Sequence, residues 1–563
     1  MNYPIKTLLW VFLIISTLTS YSQKANKGFF NKSQIENKID SLFSKYEKEP
    51  GISIGIVVDD SLIIQKQYGL ANLEHRIPIT NKTSFHVASV SKQFTAFAVL
   101  LLESEGKLSL DDDIQKYIPE MKIENTKISI RNLLEHTSGL RDQWNLLRLA
   151  GWHLEDIITN EEVLNLIYRQ EELNFPPNQQ FMYSNSGYTL LAEIVSRISK
   201  MSFAEFTQKR IFGPLKMYNS TFIDTDGTVV PNKANSYYIK DNIYLEDVFN
   251  NTSVGATNLS TTIEDLSKWS INFTQPKVGT KAIFQKMNTV GKLENGKNTG
   301  YGYGQFIDTY KGVYRISHSG LDASYQAYIG RFPEQYISIL IASNNSSING
   351  GRMVQQIIEI CLEGYLINPS KETTQERVAH KTPVKLNNLV LETFEGYYWN
   401  KKDRYSRQLV VKNDTLFYVR DNGNKSGLVP VGNSDFDMPG DEYVAVSFNK
   451  NEMILTFTDG YTIEFQKYRP TNYNSNDLLE YCGKYFSQEL NTSYSFYIDR
   501  AQLIANHPRL GDLKLKSIMK DYFIGEKGSF RDIYFERGPD GNIIGFKVSS
   551  SRAKNIAFKK AKN

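Results

Sequence analysis

The chain has 563 residues, more than one hydrophobic core can organise, so we expect two to four domains. Hydrophobic residues make up 40% and charged residues 22%, the balance of a globular protein. A net charge of +4 is too dilute over this length to indicate nucleic acid or an anionic membrane surface as a partner.

The first 22 residues have the pattern of a secretory signal. Lys6 precedes an apolar run from Leu8 to Leu18, and Ser20 and Ser22 mark a cleavage site with small residues. A retained anchor is the alternative, but the run is shorter than the about 20 residues that span a membrane. We expect a signal peptide over 1–22, no transmembrane anchor after its cleavage, and a periplasmic or extracellular location.

Two helices and a hairpin come next. Apolar residues with a helical period predict a helix over 33–47, and Ile52 to Val58 with Leu62 to Tyr68 predict a hairpin. A second helix follows Ser89 and ends at Gly106.

Ser89 and Lys92 lie at the start of that second helix, one turn apart, so the amine can reach the hydroxyl. A nucleophilic serine needs a neighbouring base and N–H donors for the oxyanion, and a helix N-terminus can supply such donors. The spacing alone is unspecific, because it recurs at Ser517 with Lys520 and at Ser551 with Lys554.

A second motif, Tyr183-Ser184-Asn185, precedes a helix from Tyr188 to Ser199. Tyr183 can act as a base only if a cation such as Lys92 favours its phenolate. Asn185 can bind a substrate carbonyl or orient Lys92. The alternative is an ordinary helix N-terminus with Ser184 or Asn185 as its cap.

We expect the segments around this motif to have structural rather than catalytic roles. His136 is expected to cap or pack beside the Gly139 turn. Residues 143–173 are interpreted as a satellite core, with an aromatic lid as the alternative. We assign no chemistry to 255–261, ahead of a helix from Ile263 to Phe273.

A third motif, His318-Ser319-Gly320-Leu321, is predicted to lie on a strand that kinks at Gly320 before another strand from Ser324 to Phe332. Backbone N–H groups here can bind an oxyanion, and Gly320 permits a close approach. His318 can donate to substrate or to Tyr183, although a histidine on a strand is commonly structural.

Cysteines and histidines indicate neither a disulfide nor a metal site. Cys361 and Cys482 fall in different predicted domains, and Cys361 lies on an apolar helix face as a buried free thiol. The seven histidines lack metal-binding spacing, so we expect no metal and no cofactor.

Taken together, S-V-S-K, Y-S-N and H-S-G in this order resemble the serine β-lactamase and penicillin-binding-protein superfamily. The closer resemblance is to its class C-like, S12-type peptidase branch, over about residues 33–367. It implies an α/β (α+β) fold, with a helical cluster beside an antiparallel sheet flanked by helices and the active site between them.

The resemblance also implies roles for particular residues. Ser89 corresponds to the acylated nucleophile, and Lys92 and Tyr183 to the pair that activates it and protonates the leaving group. Asn185 corresponds to a contact with the substrate amide. The backbone N–H groups of Ser89 and Leu321 correspond to the oxyanion hole.

Two positions depart from the family pattern. His318 replaces a lysine that helps bind the carboxylate of β-lactams, and family members with histidine there resemble esterases and D-amino-acid peptidases. His318 and Gly320 are therefore expected on the substrate-binding side. Asn178 replaces a glycine, but asparagine tolerates a positive φ.

The C-terminal third has short alternating strands and a repeat of about 80 to 90 residues that begins near Leu391 and again near Leu479. We expect a catalytic domain over 23–367, a linker over 368–389, and two small antiparallel barrels over 390–470 and 471–563. One larger barrel is the alternative. These barrels resemble lipocalin-like modules attached to some relatives.

We therefore expect an exported serine hydrolase that forms an acyl-enzyme on an amide or ester of a small peptide-like substrate, with cell-wall peptides as one candidate. A β-lactamase or a D-Ala-D-Ala carboxypeptidase is the alternative. An inactive sensor and a structural envelope protein are alternatives from other classes. The sequence leaves open the oligomeric state and whether Lys92 or Tyr183 is the base.

Overall fold

The computed structural model describes residues 30–367, 382–402, 404–420, 423–440, 443–457, 460–526 and 528–561. The expected signal peptide and residues 368–381 of the expected linker lie outside these ranges. No helix within them is long and apolar enough to cross a membrane. The chain forms two compact units, and the second consists of 141–153, 169–174 and the residues from 382 onward.

The first unit is built on a six-stranded antiparallel sheet. Its strands, in the order in which they lie side by side, are Phe306–Tyr310, Val313–Asp322, Tyr325–Phe332, Ile337–Ser343, Ile52–Val58 and Ser61–Tyr68. The N-terminal hairpin thus joins the C-terminal strands, with Ile56 opposite Ile339.

The predicted kink at Gly320 is wrong, because the strand Val313–Asp322 runs through it and pairs Gly320 with Ala327. The chain reverses after Asp322 instead. Gly320 instead leaves space for the backbone of the Ser89 turn, which a Cβ at this position would overlap.

Helices pack on both faces of this sheet. Ile39 and Ile357, from the first and last helices of the unit, share one apolar core with Ile54 of the sheet. On the other face, a Cβ at Gly55 would lie 2.5 Å from Ile263. The helices are Lys32–Phe43, Ser91–Ser104, Ile130–Leu134, Asn160–Tyr168, Asn185–Ser199, Phe203–Thr207, Ile263–Asn272, Lys281–Met287 and Gly350–Cys361.

Short strands complete the first unit. They form three small sheets: Leu70–Asn72 with Ile77–Pro78, Phe85–His86 with Leu259–Thr261 and Thr221–Phe222, and Tyr237–Lys240 with Ile243–Glu246. Cys361 is a free thiol, as predicted, and burial raises its pKa well above the usual range.

The second unit contains two closed eight-stranded barrels, which confirms two barrels rather than one. The first has the strands Gly396–Asn400, Tyr405–Lys412, Thr415–Val419, Lys425–Pro430, Asp435–Met438, Val444–Asn449, Glu452–Phe457 and Thr462–Tyr468. The second has the strands Gly483–Ser487, Thr492–Asp499, Gln502–His507, Gly511–Met519, Tyr522–Gly525, Asp532–Arg537, Ile543–Ser549 and Ile556–Lys560.

The predicted repeat is visible at the entry to each barrel. Gly396 and Gly483 begin the first strands with φ of 136° and 132°, values that favour glycine. The hydroxyls of Tyr398 and Tyr485 donate over 2.9 and 2.8 Å to carbonyls four residues earlier.

One detail of the predicted repeat is wrong. The short helices Asn388–Glu392 and Ser475–Leu478 precede the barrels, and the buried leucine that matches Leu391 is Leu478. Leu479, chosen from its spacing, is 60% exposed.

Part of the segment 143–173 belongs to the second unit. The helix Gln143–Leu149 packs there, and the Tyr494 hydroxyl donates to the Leu149 carbonyl over 2.9 Å. Arg141 is buried and donates to Glu489 over 2.6 Å. Residues 154–168 belong to the first unit, so this segment is divided rather than forming one satellite core.

Candidate active site

Ser89 lies in the 3-10 turn Ala88–Val90, directly before the helix Ser91–Ser104, as the sequence predicts. Ala88 has φ of 45°, a left-handed conformation that is costly for a residue with a Cβ. Ser89 is half-buried, whereas its chain neighbours are buried. Ser89 is therefore more accessible to solvent than the residues on either side of it in the chain.

Lys92 is the centre of the polar contacts behind Ser89. Its side chain is 0% exposed, and its Nζ donates to Ser89 Oγ over 3.1 Å, to Asn185 Oδ1 over 2.8 Å and to the Ala256 carbonyl over 2.7 Å. An ammonium has three N–H donors, and these three acceptors can engage all of them. The predicted contact between Lys92 and Ser89 is thus present.

Two aromatic rings face the same ammonium. Nζ of Lys92 lies 4.8 Å from the ring centroid of Tyr183 and 5.6 Å from that of Tyr188. Such rings attract a cation, which helps offset the cost of removing it from water. Ser89, Lys92, Tyr183 and Asn185 therefore lie together, as the resemblance implies.

His136 positions the second motif. Its Nδ1 accepts the N–H of Ser184 over 3.2 Å, its carbonyl accepts the N–H of Met182 over 2.9 Å, and its ring centroid lies 4.3 Å from that of Tyr183. The expected structural role of His136 fits these contacts, although the sequence did not connect it to Tyr183.

The Asn178 turn survives the replacement of glycine. Asn178 has φ of 65°, and its Oδ1 accepts from Asn132 Nδ2 over 2.6 Å. Its own N–H donates to the Thr137 carbonyl over 2.9 Å.

Gly320 allows the strand to lie against the Ser89 turn. A Cβ at this position would lie 2.2 Å from the Val87 carbonyl oxygen and 3.1 Å from the backbone nitrogen of Ser89. Any larger residue would force the strand and the turn apart. Gly320 is therefore close to the Ser89 amide, while the oxyanion hole, which also requires the N–H of Leu321, stays a prediction.

His318 is 2% exposed and neutral. Its Nδ1 lies 2.7 Å from the Ser319 carbonyl oxygen and its Nε2 lies 3.1 Å from the Tyr301 hydroxyl. A carbonyl only accepts, so Nδ1 carries the proton and Nε2 accepts from Tyr301. Burial, and then the charge of Lys92, lower the pKa of His318 to about 3. Its contact with substrate stays a prediction.

The sequence missed two partners at this site. Ala256 lies in the segment to which we assigned no chemistry, yet its carbonyl accepts from Lys92. Gly255 beside it has φ of 94° and no room for a Cβ, which would lie 2.4 Å from the Tyr188 carbonyl oxygen. Tyr301 is the other missed residue, and no spacing in the sequence links it to His318.

Known proteins are similar to this chain in sequence. Residues 39–356 match the family model described as Beta-lactamase. The chain is 27% identical over 376 residues to "Penicillin-binding protein 4*" of Bacillus subtilis (strain 168), a match that covers 63% of this chain and 80% of that protein. It is 27% identical over 318 residues to "Protein flp" of Staphylococcus aureus (strain N315), covering 55% of this chain and 62% of that protein.

Solved structures are similar in fold. The octameric penicillin-binding protein homologue from Pyrococcus abyssi has a TM-score of 0.53 at 24% identity, covering 78% of this chain and 100% of that chain. The D-amino acid amidase from Ochrobactrum anthropi SV3 complexed with L-phenylalanine amide has a TM-score of 0.50 at 19% identity. The match covers 59% of this chain and 99% of that chain. These likenesses concern the fold, and with the family match they confirm the predicted fold class.

Proposed function

Because the chain belongs to the Beta-lactamase family, we propose that it is a serine hydrolase that forms an acyl-enzyme on Ser89 and cleaves an amide or ester of a small peptide-like substrate. The observation that carries this proposal is the 3.1 Å contact from Lys92 Nζ to Ser89 Oγ. The carbonyl of Ala256 and the amide of Asn185 hold the same lysine in place.

Acylation begins when Ser89 Oγ gives its proton to the pair of Lys92 and Tyr183 and bonds to the substrate carbonyl carbon. The carbonyl oxygen becomes an oxyanion, which the N–H groups of Ser89 and Leu321 stabilise. Collapse of this intermediate breaks the bond to the amine or alcohol, and the leaving group takes the proton from the same pair.

Deacylation repeats these steps with water. The pair of Lys92 and Tyr183 takes a proton from water, the hydroxide oxygen bonds to the acyl carbon, and the bond to Ser89 Oγ breaks as Oγ regains a proton. The products are a carboxylic acid and free enzyme. The contacts of Lys92 with three neutral acceptors support its holding the positive charge as an ammonium. The atom of the pair that takes and returns the proton is then the phenolate oxygen of Tyr183, which the adjacent ammonium stabilises.

The neutral state of His318 supports the choice of substrate class. Since its pKa is lowered to about 3, it supplies no cation for a substrate carboxylate near pH 7. Amides and esters without a free carboxylate at that position therefore suit the site better than β-lactams. One structural neighbour is named a D-amino acid amidase, so we choose the amide of a D-amino acid, D-phenylalanine amide, as the probe.

A second candidate is a β-lactamase or a penicillin-binding carboxypeptidase, favoured by the name of the Bacillus subtilis relative. We also propose export to the periplasm or the exterior, on the signal pattern of residues 1–22, where cell-wall peptides are accessible substrates. The two barrels are proposed to be lipocalin-like modules. An inactive sensor remains the competing class.

Intact-mass spectrometry of the protein without residues 1–22 tests the proposal, after treatment with a fluorophosphonate and, separately, with benzylpenicillin. We expect one fluorophosphonate adduct in the wild type, none in Ser89→Ala, and an unchanged adduct in Ser551→Ala. The last variant is a matched control, because Ser551 and Lys554 have the same spacing as Ser89 and Lys92.

Turnover of D-phenylalanine amide and of its methyl ester then tests the substrate class. A penicillin adduct would favour the penicillin-binding candidate, and penicillin consumed without an adduct would favour a β-lactamase. Folded protein with no adduct from either reagent would contradict a hydrolase and favour the sensor.

A further inference from the structure

The second unit contains a polar cavity with a volume of about 540 Å³. Its size lies in the range of small-molecule sites, about 300 to 1,000 Å³. It has no part in the chemistry proposed for Ser89. Its charged lining consists of Arg148, Lys402, Arg404, Arg531, Lys554 and Asp532.

The lining has a strong charge imbalance. Five of these side chains are cationic and one is a carboxyl, although the whole chain carries a net charge of only +4. The planar guanidinium of arginine donates two parallel hydrogen bonds to two oxygens of a phosphate or carboxylate group, and the lysine ammonium adds a point charge. The lining therefore favours an anionic ligand.

Arg404 is already held in place. One of its terminal nitrogens donates to the Ser549 hydroxyl and the other donates to Asn555 Oδ1 over 2.8 Å. A guanidinium fixed by such contacts loses little conformational freedom when it binds a ligand. This cation is part of a built site rather than a mobile surface side chain.

Asn145 adds an acceptor to the same cavity. It is 5% exposed, and its Nδ2 donates to Ser550 Oγ over 3.0 Å. Its Oδ1 is buried and has no hydrogen-bond partner among the residues that the structure describes. A buried acceptor without a partner is costly, so a ligand that brings an O–H donor would gain from meeting it.

Asp532 is a second acceptor in the lining. Burial raises the pKa of its carboxyl to about 6, while the nearby Arg404 charge opposes that rise. At neutral pH this carboxylate can accept hydrogen bonds from ligand hydroxyls.

We propose that this cavity binds a sugar that carries a phosphate or carboxylate group. The cations bind the oxyanion, and Asn145 and Asp532 accept hydrogen bonds from the sugar hydroxyls. A simple anion would leave the two acceptors unused, and a neutral sugar would not balance the excess of positive charge in the lining. The proposal does not depend on the reaction at Ser89.

Isothermal titration calorimetry with the full chain, its Ser89 first blocked by fluorophosphonate, tests the inference with four probes. They are glucose 6-phosphate, glucuronate, glucose and inorganic phosphate. We expect at least one of the two sugar anions to bind about tenfold more tightly than glucose and than inorganic phosphate. Which sugar anion binds identifies the source of the negative charge.

The variant Arg148→Gln/Arg531→Gln removes two exposed cations from the lining, and we expect it to weaken binding of the sugar anion by about tenfold or more. The control Lys514→Gln/Lys559→Gln removes two exposed charges from strands of the second barrel, outside the lining. It is expected to leave binding unchanged. Lys402→Gln provides an independent second test at an exposed position.

Three results would overturn the inference. Neither sugar anion binds; glucose or inorganic phosphate binds as tightly as the tighter of the two sugar anions; or the lining and control variants weaken binding equally while retaining the circular dichroism of the wild type.

Discussion

The first unit buries a lysine and an amide behind the Ser89 hydroxyl, whereas the second barrel fills its interior with aromatic rings. Lys92 and Asn185 are both buried; Lys92 donates to the Ser89 hydroxyl, and Asn185 accepts from Lys92. In the second barrel, Phe546 lies between the rings of Phe496 and Phe558, with centroid distances of 5.1 and 4.6 Å. Buried polar groups cost stability and buried rings supply it, so the two regions are expected to fail differently when mutated.

Lys92→Met gives the largest expected effect and tests the first side of this comparison. Lys92 and Tyr183 form the predicted proton-transfer pair beside Ser89. Removing Lys92 from this pair should lower kcat by at least about 10³-fold. Steady-state hydrolysis of the best amide or ester probe measures this. Lys520→Met, from the second Ser-x-x-Lys sequence, should keep wild-type kcat. A Lys92→Met enzyme with wild-type kcat would remove Lys92 from the mechanism.

Phe546→Ala tests the other side. Loss of a fully buried ring should lower the free energy of unfolding of the barrel by about 3 to 5 kcal/mol. Denaturant unfolding, followed by near-ultraviolet circular dichroism, measures the shift. Phe486→Ala, at a 46% exposed position of the same barrel, is the control and should change little. Equal losses from both variants would contradict a filled aromatic interior.

Glu135→Gln tests the cost of a buried carboxyl in the first unit. Burial raises the pKa of Glu135 to about 7, with Arg131 opposing the rise. A raised pKa means that the stabilising contribution is complete below about pH 4.5 and is lost as pH rises through 7. Wild-type stability should therefore fall by up to about 3 kcal/mol between pH 5 and 8, relative to the variant.

Thermal unfolding at a series of pH values, converted to free energies, measures that difference. Glu124→Gln changes an exposed carboxyl and should follow the wild-type curve. If Glu135→Gln follows the same curve, the buried carboxyl carries no such cost.

Tyr301→Phe gives the smallest expected effect. It removes the hydroxyl that donates to His318 Nε2, which leaves a buried acceptor unpaired and should cost about 1 to 3 kcal/mol. If His318 contacts substrate, KM should rise more than kcat falls. Tyr303→Phe is the control, since its hydroxyl accepts from Arg131 instead. Unchanged KM in both variants would make His318 a structural residue.

The site residues that could be predicted from the sequence are those whose spacing along the chain brings them together on one helix or at one helix start. Ser89 and Lys92 are one helical turn apart, and Tyr183 and Asn185 stand at a recognisable helix start. Ala256 was not predictable, because a backbone carbonyl looks the same at every residue. Tyr301 was missed because its contact with His318 depends on a loop whose path no pattern fixes.

Fold prediction failed where one residue type serves more than one purpose. Glycine at 320 suggested a kink, but it provides space for the Ser89 turn within a continuous strand. Leu479 matched the repeat by spacing, but burial selects Leu478. The division of 143–173 between two units was not predictable, since apolar residues pack equally well against either core.

A closed barrel offers no free strand edge on which another chain can build a β-sheet. In both barrels the first strand pairs with the last, with Tyr397 opposite Tyr468 and Tyr485 opposite Lys560. The six-stranded sheet instead ends in two edge strands, Phe306–Tyr310 and Ser61–Tyr68. Between these sheets, aggregation through strand addition is therefore expected at the six-stranded sheet beside the candidate active site, while the two barrels add mass to the protein without adding that hazard.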